Sequence, residues 1–145
     1  MIFGNDRNAL RRFYCDVWSR HRRGEPLDPL ASQIARVIAE HPEYHALLED
    51  EDGALGAEFT PEMGRTNPFL HMGMHLALRE QTATDRPAGI LGIHQMLVSQ
   101  HGPHEAEHRM MDCLGEAIWQ AQRSGQAPDE AAYLTCLRAL VGHRV

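Results

Sequence analysis

No lysine occurs in this chain: all 14 basic residues are arginine, against 20 aspartate plus glutamate, for a net charge of −6. That deficit of positive charge removes the electrostatic footprint of a nucleic-acid binder, so DNA and RNA are not expected partners. Forked guanidinium groups suit carboxylates and phosphates, but a genome-wide codon bias is the simpler cause of so uniform a preference. Cysteine is scarce too. Cys15, Cys113 and Cys136 are odd in number, widely spaced and without a Cys-x-x-Cys, which indicates neither a disulfide framework nor a zinc knuckle. They are expected to be small buried thiols in a reducing compartment. No run approaches the ~18–20 apolar residues needed to cross a bilayer, and Met1 to Trp18 lacks the apolar core of a leader. The expectation is a soluble, cytoplasmic protein with no membrane partner. No repeat or long linker divides the 145 residues, so residues 1–145 read as one helical domain, large enough to bury a core.

Histidine is what the chain has in excess, with 10 copies. The stretch from Asn67 to Gln81 holds two of them in a helical pattern. Asn67 can cap the first free amides and Pro68 suits the first helical position, where no N–H is required. Phe69, Leu70, Met72, Met74, Leu76, Ala77 and Leu78 are spread around most of the circumference at ~100° per residue, which predicts a largely buried central helix from Pro68 to about Thr82. His71 and His75, four residues apart, share one face. Two neighbouring buried imidazoles each need a donor and an acceptor, and a metal ion meets half of that need by taking one nitrogen from each ring.

Asp6 or Asn5 can cap a first helix to about Arg23, with Leu10, Phe13, Tyr14, Val17 and Trp18 inward and Gly24 as its stop. Arg11, Arg12, Arg20, Arg22 and Arg23 form a basic face, read as solvated. Asp28-Pro29 opens a second helix, Leu30 to about Glu40. Pro42 limits it and biases His41 away from helical dihedrals, so His41 and His45 need not lie on one helix face. Glu49 to Asp52 reads as an acidic turn that lacks the ligand pattern of a calcium loop, and residues 53–66 as irregular. Further helices are expected from Pro87 or Gly89 to Gly102, from Pro103 to Ser124 and from Glu130 to about Val141. On the longest of these Glu107 intrudes on an apolar stripe, a costly place for a carboxylate unless it is paired or metal-bound. The fold expected is therefore all-α, a single-domain bundle of five or six helices around the buried central helix.

Three histidine pairs have i, i+4 spacing: His41/His45, His71/His75 and His104/His108. A shared metal site explains three such pairs in a chain of this length better than chance does. The ligand set expected is His45, His71, His75 and His108, with His41, His104, Glu107 and Glu116 ranked next. His104-Glu105-Ala106-Glu107-His108 satisfies the zinc-peptidase spacing, but it starts in a first helical turn and lacks the usual third-ligand motif.

The segments His41-Pro-Glu-Tyr-His45, Asn67-Pro-Phe-Leu-His71-x-x-x-His75, Glu107-His108-x-Met110-Met111-x-Cys113-Leu114-Gly115-Glu116 and Pro128-Asp129-Glu130 resemble a family of small uncharacterised, mainly proteobacterial proteins, a domain of unknown function. The resemblance spans nearly the whole chain. It implies a cytoplasmic bacterial protein and brings no established activity. The residues themselves point to a metal-binding helical protein holding one or two transition-metal ions, iron or zinc, between helices. An open coordination position would permit oxygen chemistry with iron or hydrolysis with zinc. The other class is a non-enzymatic interaction module whose histidines are hydrogen-bonded in the core, with a protein partner or a homo-oligomer.

Overall fold

The computed structural model describes residues 6–59 and 67–142, and their regular elements are all helical. They comprise α1 (Asp6–Arg22), α2 (Pro29–Ala39), a 3-10 turn (Pro42–Tyr44), α3 (His45–Leu48), α4 (Glu51–Gly56), α5 (Pro68–Thr84), α6 (Ile90–His101), α7 (Pro103–Ser124) and α8 (Glu130–Gly142). Among the described residues eight α-helices replace the five or six expected, because the short α3 counts as a helix of its own and the acidic stretch read as a turn is itself helical. Asp50 caps α4 by accepting from the Gly53 amide, and Glu51 and Asp52 occupy the first turn, where the helix dipole favours negative charge. The expected caps Asn5 and Asp6, and the irregular segment 60–66, fall outside the described residues and side chains.

Chain contacts divide the protein into two compact units, residues 1–76 and 77–145. In the first, Tyr14, Val17 and Trp18 of α1 pack with Ile34, Val37 and Ile38 of α2, with Leu48, Ala54, Phe69 and Met72 completing the core. Asp28 starts α2 by accepting from the Ala31 amide at 2.8 Å, with Pro29 behind it. Asn67 Oδ1 accepts from the Phe69 amide at 2.9 Å and from Leu70 at 3.3 Å, which fixes the start of α5. Arg11 departs from the reading of a solvated basic face: it is 4% exposed. Its position shares a face with Tyr14, Cys15 and Trp18, so the helical period carries it inward, where its guanidinium meets backbone carbonyls and aromatic rings.

In the second unit α6, α7 and α8 pack pairwise on one another. Ile90, Leu97, Met110, Leu114 and Leu137 are buried there, with Leu78 from the end of α5. Gly102, at φ 86° and ψ 162°, makes the turn between α6 and α7. Cys113 of α7 and Cys136 of α8 form a disulfide, their Cα atoms 5.7 Å apart. This corrects the expectation of three separate thiols, since the cysteines are 23 residues apart in sequence but face each other across packed helices. Cys15 remains a buried thiol. The central helix is less enclosed than its composition suggested, for Leu70 is 53% exposed. No helix among the described residues is long and apolar enough to cross a membrane.

Candidate metal centre

Three imidazoles meet where the end of α2 faces the first turns of α5. His41 follows α2 in a non-helical conformation, φ −126° and ψ 71°, as the proline after it favours. Its Nδ1–H donates to the Val37 carbonyl at 2.7 Å, one of the terminal carbonyls of α2. A carbonyl can only accept, so Nδ1 carries a proton, and in the neutral ring Nε2 keeps its lone pair as an acceptor. Among the described residues His41 Nε2 is buried without a hydrogen-bond partner. Leaving a buried acceptor unsatisfied costs about 1–3 kcal/mol, so the atom calls for a ligand. A carbonyl on one ring nitrogen with the other directed at a metal is a common arrangement for histidine ligands.

His71 and His75 come from successive turns of α5, where the i, i+4 spacing stacks them on one face. Their Nε2 atoms are 3.2 Å apart. Two ligands about 2.0–2.1 Å from one zinc ion at the tetrahedral angle would be separated by about 3.3–3.4 Å, close to this value. The ring centroids of His41, His71 and His75 form a nearly equilateral triangle, with sides of 4.8, 4.8 and 5.1 Å. One ring nitrogen from each lies within 4.8 Å of the others. His41 and His75 are 3% and 2% exposed, and His71 is half-buried. Tyr44 flanks the group, its ring stacked on His41 at 5.3 Å and edge-on to His71 at 6.1 Å. Burial, then the charge of Glu43, raises the Tyr44 pKa, so the phenol stays neutral beside the imidazoles.

His41 takes the place expected of His45. The break at Pro42 sends the two rings in different directions, and His45 Nε2–H donates to the Ile38 carbonyl at 2.8 Å while its ring packs on Trp18 at 4.4 Å. In the second unit Glu107 accepts from two guanidinium nitrogens of Arg79, Nη2 at 3.0 Å and Nε at 3.1 Å. That pairing meets the cost of its position on the α7 stripe without requiring a metal. Glu116 is exposed and accepts from Gln120 Nε2 at 2.9 Å. His104 and His108 pack ring to ring with centroids 4.2 Å apart, and Glu105 pairs with Arg109 at 3.0 Å. The His-Glu-x-x-His spacing thus begins on the exposed surface of α7, where His104 and Glu105 make local contacts, while His108 is half-buried. Sequence reasoning missed two features, Tyr44 and the Val37 carbonyl. The second was detectable, because His41 lies four residues beyond Val37 at a helix end, where carbonyls lack partners.

The donors of this group are imidazole nitrogens, which suit zinc, iron, copper and nickel and do not suit the hard cations calcium and magnesium. The residues therefore fit a transition metal. No curated protein and no solved structure matches the chain. A family model described as a domain of unknown function (DUF1841) matches residues 6–139, and the chain belongs to that family.

Proposed function

We propose that this member of the DUF1841 family binds one transition-metal ion through His41, His71 and His75. The observation that carries the reading is the buried, unpartnered Nε2 of His41 beside the closely spaced Nε2 atoms of His71 and His75. Three imidazoles would leave one position open in a tetrahedral zinc site, and more for a five- or six-coordinate ion such as iron. The metal would hold the end of α2 to α5 and neutralise lone pairs that are otherwise costly to bury.

A second reading keeps the histidines structural, because 3.2 Å between His71 and His75 Nε2 is also a hydrogen-bond distance. Titration of the untagged, metal-stripped chain with cobalt or zinc separates the two. The metal reading expects one tight site in the wild type, loss of about 100-fold or more in affinity for His41→Ala and His75→Ala, and little change for His45→Ala. Equal binding by all four proteins would leave the hydrogen-bonded core histidines standing.

A further inference from the structure

The disulfide between α7 and α8 forms part of the wall of a cavity of about 300 Å³, lined also by Glu116, Gln120, Asp129 and Tyr133. A volume of this order admits a small molecule. Its two sulfurs are not equally placed. Cys113 is 2% exposed, whereas Cys136 is only half-buried. Among the described residues the lining carries two carboxylates and no basic side chain. Each carboxylate is already oriented, Glu116 by Gln120 Nε2 at 2.9 Å and Asp129 by the Ala132 amide at 3.1 Å. A carboxylate accepts several hydrogen bonds, so both keep capacity for an ammonium group.

We propose that this cavity is a thiol-exchange site for a small aminothiol, a molecule with a thiol at one end and a protonated amine at the other. The ammonium group is held by Glu116 and Asp129, and the thiolate attacks Cys136 Sγ in line with the bond to Cys113. The Cys113–Cys136 bond breaks as the new bond between the aminothiol sulfur and Cys136 forms. The electron pair leaves on Cys113 Sγ, which takes up a proton, and one disulfide is exchanged for another with no external oxidant. In the return step Cys113 loses that proton to solvent and attacks Cys136 Sγ, the aminothiol leaves as its thiolate, and the link between α7 and α8 is restored. The proposal rests on residues of the second unit alone and stands or falls independently of the metal centre.

The test uses the full-length oxidised chain with three thiols that differ in tail charge: cysteamine, 2-mercaptoethanol and 2-mercaptoethanesulfonate. Rates are expressed per thiolate, and adducts are trapped by alkylation and mapped by mass spectrometry. The expected product carries the thiol on Cys136 with Cys113 released and Cys15 untouched. Cysteamine should react about tenfold faster than the sulfonate, since a cleft of one charge sign raises encounter with its counter-ion by at least that order. The chain's net charge of −6 contributes to any such preference. The control is therefore Glu116→Gln with Asp129→Asn, which preserves side-chain shape and should remove most of the ratio. If the double variant fails to fold, each single variant should lose part of it. Equal rates for the three thiols, a ratio unchanged in the variants, an adduct on Cys113 or Cys15, or a purified chain with three thiols would overturn the proposal.

Discussion

Arg11 Nη1 donates to two carbonyls near the end of α4, those of Ala54 at 2.8 Å and Ala57 at 2.9 Å. Its guanidinium also lies 4.9 Å from the Phe69 ring centroid, joining three segments of the first unit through one cation. Arg11→Leu would take this donor from the buried Ala54 carbonyl and leave the Ala57 carbonyl to Arg7 Nη2 at 2.7 Å, and should cost about 1–3 kcal/mol in urea denaturation. A loss below half a kcal/mol would mean that the arginine is the solvated residue its neighbours suggested. The thiol of Cys15 is pushed up to about 11, by burial first and then by Glu51 and Asp50. It should resist alkylation at pH 8 until the chain is unfolded, and labelling at the rate of a free thiol would contradict that burial. At the candidate site the residue types were legible in the sequence, and so was the His71/His75 pair, because both follow from helical spacing. The choice of His41 over His45 was not, since it turns on the direction of two side chains on either side of Pro42. Local sequence specifies the break at that proline but not which ring faces α5.

Gly102 carries the chain from α6 into α7 at φ 86° and ψ 162°, a region open essentially to glycine alone. Among the described residues a Cβ there would meet nothing within 4 Å, so the cost of Gly102→Ala arises from the backbone and not from a clash. The replacement should cost about 1–3 kcal/mol by thermal or urea unfolding, and a neutral result would show that the turn has another conformation open to it. Most helix ends were readable from such punctuation: Asp28-Pro29, Asn67-Pro68, Gly102-Pro103 and Gly125 each act where their chemistry predicts. The exception is α4, whose acidic residues and Gly53 resemble a turn until Asp50 is seen capping them. The disulfide was unreadable for a different reason. Spacing along the chain does not tell which faces of α7 and α8 meet, and only that meeting brings Cys113 to Cys136.

Each unit of the molecule buries a tyrosine whose proton the fold retains. Burial pushes Tyr14 and Tyr133 up to about 12, the latter despite its hydrogen bond to Gln81 at 2.7 Å. An unfolded tyrosine titrates near 10, so the folded state binds these protons more tightly. The stability they contribute is complete below pH ~10 and is lost as pH rises from about 10 to 12. Tyrosinate absorbance should therefore appear together with loss of helical circular dichroism. A normal titration near pH 10 in an intact fold would contradict the burial of these phenols. The central claim concerns the metal, and thermal unfolding of the untagged protein before and after chelation tests it most directly. An ion bound to the folded state alone, present at about 100 times its dissociation constant, adds about 2.7 kcal/mol. Chelation should thus lower the wild-type Tm by about 5–10 °C. Restoring stoichiometric metal should recover the loss, and His71→Ala should abolish most of the difference. Superimposable melting curves with and without chelator, from protein that contains no metal as purified, would contradict the account.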